Sequence, residues 1–201
     1  MSSIRLLASA LALGVMSASA MAASTVYTSS TTFLAQVAPG AYTENFNGLS
    51  SLPAGPIGFS AGGFSYSLSA PSDLWAAGDY IGTSQIDEAL TISFLSGNVY
   101  AVGGNFFATN YMDAFQSVQI SLSLSDGTTV SFTPTTLADS YRGFVSTTAI
   151  TSLTIGAPGQ SLYATLDNLT VATVVPEPAS VLLASLGLVG VAAAARRRRQ
   201  A

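Results

Sequence analysis

The chain has 201 residues, 49% of them hydrophobic and 8% charged, with ten acids against six bases and a formal net charge of −4. It has no histidine or cysteine, and every base is an arginine. A Ser-His-Asp triad, a thiol nucleophile, a Schiff-base lysine and an ordinary zinc centre are excluded for want of their side chains. No disulfide framework is available either, so an apolar core must hold the fold.

At the amino end, Arg5 precedes an apolar stretch over residues 6–15, and Ala20-Met21-Ala22 fits a signal-peptidase site before Ala23. This predicts a signal peptide over residues 1–22, removed by signal peptidase. Residues 23–174 are then the size of one domain with one core. In it nine carboxylates face Arg142 alone, a formal charge of −8 that repels nucleic acid. Gly62-Gly63 and Gly103-Gly104 fit no phosphate-cradle spacing.

The first predicted element of the domain is a short helix, capped by Ser30, running through Phe33, Leu34 and Val37 and stopped by Pro39-Gly40. It is expected to plug one end of a sandwich. Strands follow over 42–46, 63–68, 89–95 and 99–108, rich in Thr, Val, Tyr and Phe and punctuated by Gly, Pro, Ser and Asn. In 117–126, Val118, Ile120, Leu122 and Leu124 alternate with polar residues and so share one face. Asp126-Gly127 then makes a turn, and Val130 and Phe132 resume the alternation on a returning strand. Strands over 141–146, 150–155, 162–165 and 166–173 complete an all-β, two-sheet antiparallel sandwich.

The segment 175–201 has three parts: Val175-Pro176-Glu177-Pro178, an uncharged apolar run over 179–195, and Arg196, Arg197, Arg198 and Arg199. As a helix the run would reach about 25 Å, enough to cross a hydrocarbon core of about 30 Å at its lower limit. Four arginines at its far end stay on the cytoplasmic side, which places the domain outside. The two prolines hold Glu177 in an extended, readable peptide. Taken alone, this is also how an ordinary tail anchor of a periplasmic protein would read.

The three parts in this order resemble the PEP-CTERM sorting domain, carried by Val175-Pro176-Glu177-Pro178-Ala179-Ser180, the apolar helix and the arginines. The resemblance implies passage through the inner membrane of a Gram-negative bacterium and processing near Pro176, Glu177 and Pro178 by an exosortase-type transpeptidase. Delivery to the cell surface or its exopolysaccharide follows. The body is similar to the jelly-roll domains of PEP-CTERM proteins, which look like carbohydrate-binding modules. That similarity rests on residues 42–49, on Val102-Gly103-Gly104-Asn105-Phe106-Phe107, on Arg142-Gly143-Phe144 and on residues 166–171.

Four groups of residues carry candidate chemistry. In a jelly roll the first and last strands often lie side by side, so Glu44 and Asp167 would meet around a calcium ion. Otherwise Glu44 is solvated and Asp167 makes a local turn bond with Asn168. Trp75, Asp79 and Tyr80, in a loop-like stretch, supply an aromatic face and acids of the kind that hold sugar rings, with Asn110 and Tyr111 added from a second loop. The alternative makes Trp75 a core anchor and the aspartates turn formers.

Arg142 either forms an exposed ion pair with Asp139 or binds an anionic sugar through its planar fork. Asp87-Glu88 is the seed of a glycosidase pair, although strand neighbours point to opposite faces. The expected function is non-catalytic binding or structuring of exopolysaccharide. A carboxylate-dependent glycan hydrolase or lyase and a self-associating surface adhesin are the alternatives.

Overall fold

The computed structural model describes residues 23–51 and 54–175. The expected signal peptide over 1–22, the Pro-Glu-Pro motif, the expected membrane helix over 179–195 and the arginine cluster all lie outside these residues. The amino-terminal part contains β1 (Thr25–Tyr27), α1 (Ser30–Leu34), β2 (Tyr42–Glu44), β3 (Ser50–Ser51), β4 (Ile57–Ala61) and β5 (Phe64–Ser69). Next come β6 (Leu74–Ala77), β7 (Ile81–Thr83), β8 (Leu90–Phe94), β9 (Ala101–Thr109), β10 (Phe115–Gln116), β11 (Ile120–Leu124) and β12 (Thr129–Phe132). A 3-10 turn over Ala138–Ser140 leads into β13 (Tyr141–Val145), β14 (Ser152–Ile155) and β15 (Tyr163–Ala172). None of the described helices is long and apolar enough to cross a membrane.

The strands form two antiparallel sheets. The larger runs β1-β13-β9-β15-β7-β6-β3, with β10 added to β9 and β2 to β15; the smaller runs β12-β11-β14-β8-β5-β4. From β7 onward the chain crosses between sheets at each connection except the β9–β10 link and the β11–β12 hairpin, and the final strand inserts between β7 and β9. That interleaving is jelly-roll topology, in which pairing depends on long-range closure rather than on neighbouring strands.

Alternation places the core. β5, β8 and β11 bury every second residue, so Phe64, Tyr66, Leu68, Leu90, Ile92, Ile120 and Leu122 meet the inner residues of the larger sheet, Phe106, Leu166, Leu169 and Val171. The predicted hairpin is present: Ile120 opposes Phe132, Leu122 opposes Val130, and Gly127 takes φ 88° at the turn.

The outer face of the larger sheet is divided. At one end α1 lies across β9 and β13 and drops Phe33, fully buried, onto Gly103 and Gly143. A Cβ on Gly143 would sit 2.5 Å from the Phe33 ring, so only glycine admits it there. Ala101, Tyr141 and Ala172 complete this second core, with Val37 and Val174 against it. β9 is therefore buried on both faces here.

Several expectations are corrected. The helix packs on a sheet face instead of plugging the sandwich end, because the small outer residues of β9 and β13 leave room for it. Its cap position is Ser29, with Ser30 already helical. Residues 162–165 and 166–173 are one strand, β15, whose pairing with β9 shifts register between Asp167 and Thr170, where Asn168 takes φ 52°. The stretch around Trp75 is strand β6, not loop.

Candidate functional site

At the other end of the same outer face α1 does not cover the strands, and a row of residues crosses four of them. Trp75 on β6 opposes Gly82 on β7; Gly82 and Phe107 on β9 both oppose Thr165 on β15. A Cβ on Gly82 would stand 2.8 Å from the Ala164 carbonyl oxygen, so this strand must approach β15 without a side chain. Trp75 is half-buried and lies outside both apolar clusters, so it does not bridge the sheets.

The residues 110–114 fold over this row. The Asn110 side-chain oxygen accepts the amides of Met112 at 2.9 Å and Ala114 at 3.1 Å, which spends Asn110 on shaping the loop. The loop leaves Tyr111 79% exposed and turns Asp113 through φ 61°. Trp75 then donates its indole N–H to the Asp113 carboxylate at 3.0 Å, while the Tyr80 hydroxyl donates to the Asp113 carbonyl at 3.3 Å. Tyr80 meets Phe107 edge-on at 5.8 Å, and Phe115 flanks Phe107 at 6.2 Å.

Two clefts open on either side of Asp113. The smaller, about 270 Å³, lies between Trp75, Tyr111 and Tyr163. The larger, about 430 Å³, is bounded by Asp79, Tyr80, Asn105, Phe115, Asp167 and Asn168. Such volumes suit a small ligand or one part of a chain. Burial is the main cause that pushes the Asp167 carboxyl up to about 6, with the Asp79 charge adding to it against the opposing Asn168 amide bond. Asp167 accepts the Asn168 main-chain amide at 2.6 Å and side-chain amide at 2.7 Å. Asn105 is fixed in turn by donating to Ser140 and to the Leu137 carbonyl, both at 3.1 Å.

Trp75, Asp79, Tyr80 and Tyr111 are thus brought together, and Asp113 joins them although sequence reasoning passed over it. Its signal was faint: an aspartate two residues after Tyr111 in a turn-like run.

Arg142 is not brought in. Its guanidinium lies 3.6 Å above the Phe132 ring and donates to the Asp139 carbonyl at 2.9 Å and the Tyr141 carbonyl at 2.6 Å. The expected ion pair with Asp139 is replaced by these main-chain bonds. The Asp139 carboxylate serves Thr135 and Thr136 instead, whose hydrogen bonds, Thr135 first, hold it down to about 2.

Glu44 and Asp167 do not converge. β2 does pair with β15, but Glu44 opposes Leu169, an inward residue, whereas Asp167 opposes Asn105 on the outer face. Glu44 accepts the Tyr42 hydroxyl and the Phe46 amide, and the Tyr42 bond pushes that phenol up to about 12. Among the described residues no three carboxylates cluster as a metal site. Asp87 and Glu88 lie outside both clefts, accepting from Ser161 and Ser72 respectively.

Residues 174–199 match the family described as the PEP-CTERM protein-sorting motif. No curated protein and no solved structure matches the chain. The motif marks an exported, surface-sorted protein that is anchored in a membrane and then processed by an exosortase-type enzyme.

Proposed function

We propose that this is a glycan-binding protein of the extracellular polysaccharide matrix of a Gram-negative cell, acting without catalysing a reaction. One observation supports it above the rest: Trp75, Tyr80 and Tyr111, with Phe107 buried beneath Tyr80, gather with Asp79, Asp113 and Asp167 at the end of an exported domain's sheet that α1 does not cover. Aromatic faces take the apolar CH faces of sugar rings, and carboxylates accept their hydroxyl hydrogens. The sorting motif makes the protein an exported one, and in this reading its destination is the polysaccharide matrix.

A second reading draws on Asp167, whose raised pKa, with Asp79 in the same cleft, suits an acid for glycoside hydrolysis. One experiment separates the two. The exported protein is titrated with the matrix polysaccharide of the cells that make it, and new reducing ends are counted after long incubation. Binding with no new ends is the expected result. New ends that vanish in Asp167→Asn would establish hydrolysis, and no binding would remove the glycan reading.

A further inference from the structure

The two clefts do not end the concave surface. A third, of about 420 Å³, adjoins the larger one through Asn105, Ala138 and Asn168, and is bounded beyond them by Ser30, Thr43 and Thr170. Asp113 joins the first two clefts in the same way. β15 lines all three, through Tyr163, Asp167, Asn168 and Thr170, β9 lines the second and third through Asn105, and Asn168, at the register shift, borders both of these. From Trp75 on β6 to Phe107 on β9 is three strand spacings, about 14 Å, before the third cleft begins. The lining changes along this path from aromatic and acidic to hydroxyl and amide, with Thr43 and Thr170 hydroxyls 2.8 Å apart at the far end.

We infer that the three clefts are one groove, which takes an internal segment of a linear, non-anionic polysaccharide rather than a chain end or a single sugar. This rests on the glycan-binding reading and adds ligand length and charge to it. Among the described residues no cation lines any of the three clefts, since Arg142 is engaged elsewhere, so a uronate chain would meet three carboxylates without a counter-charge. A short fragment fills one cleft, whereas a longer one fills all three at once without a second loss of translational freedom.

The test uses the same matrix polysaccharide, partially hydrolysed and sorted into neutral size fractions, together with polygalacturonate fragments of matched length. Affinity is expected to rise about tenfold or more from two-unit to six-unit neutral fragments and then level off, with the uronates at least about tenfold weaker. Thr43→Met, which fills the third cleft from an exposed position, should erase the gain of long over short fragments. Ser30→Leu, at the same cleft, serves as a second variant with melting curves confirming the fold of each. Equal affinity at every length, a length effect intact in both variants, or equal uronate binding overturns the groove while sparing the glycan reading. No binding to any fragment, long or short, overturns both.

Discussion

The two ends of the outer face of the larger sheet are built from the same strands and have opposite characters. Over Gly103 and Gly143 the strands carry almost no side chain, and Phe33 fills the space with its ring 6.4 Å from Tyr27 and 6.2 Å from Tyr141. A few residues along, the same β9 carries Asn105 and Phe107, the same β15 carries Asp167, and α1 does not reach over them. Small residues admit a cover, and α1 with Phe33 supplies it; the aromatic and carboxylate side chains of the other end stand clear of α1. In the proposed reading the covered end serves packing and the open end serves most of the ligand binding.

The sharpest way to break this contrast is Gly143→Val. Its branched side chain must occupy space held by Phe33, and the covered end should lose at least the roughly 3 to 5 kcal/mol that deleting a large buried aromatic costs. Thermal or urea unfolding reads this directly. A loss below about 1 kcal/mol would mean α1 is not firmly seated.

Asp167→Asn should act at the open end and with the opposite sign. Burial raises the folded carboxyl from the ordinary 3.8 to about 6, so across that window the folded state holds the proton more tightly than the unfolded chain does. Wild-type stability therefore falls as pH rises through the window and is flat above it. The asparagine variant should lack this slope and be more stable at neutral pH by about 1 kcal/mol, a figure discounted for the solvent reaching this half-buried group. Unfolding curves at several pH values check it; a parallel slope in both proteins would contradict the assigned burial.

A smaller effect is expected from Arg142→Gln. The loss of a guanidinium over Phe132 should cost about 0.5 to 1 kcal/mol, and polysaccharide retention should not change. Weakened retention would return Arg142 to the binding surface.

Much of the architecture is legible in the residues. The alternation of Ile120, Leu122 and Leu124 with serines specifies a half-buried strand, and Asp126-Gly127 specifies its turn. The helix is visible at Ser30 to Leu34, but not its seat, because nothing local says that Gly103 and Gly143, 40 residues apart in the chain, lie side by side beneath it. Trp75 was recognisable as a candidate while its strand was hidden by flanking Pro, Gly and Asp. The Glu44–Asp167 expectation had the neighbouring strands right and failed at the bulge: Glu44 opposes the inward Leu169, and the register shift between Asp167 and Thr170 leaves Asp167 on the outer face. Asp113 escaped notice because its role arises only when a loop folds back onto β6.

The most direct test of the division is to compare Trp75→Ala with Phe33→Ala in both unfolding and retention on matrix polysaccharide. Trp75→Ala should keep stability within about 1 kcal/mol, the scale of one exposed hydrogen bond, while retention falls about tenfold or more. Phe33→Ala should lose about 3 to 5 kcal/mol and, below its melting temperature, lose less retention than Trp75→Ala does, since it disturbs only the third cleft beside α1. Retention unchanged in Trp75→Ala, or lost equally in both, would contradict the account.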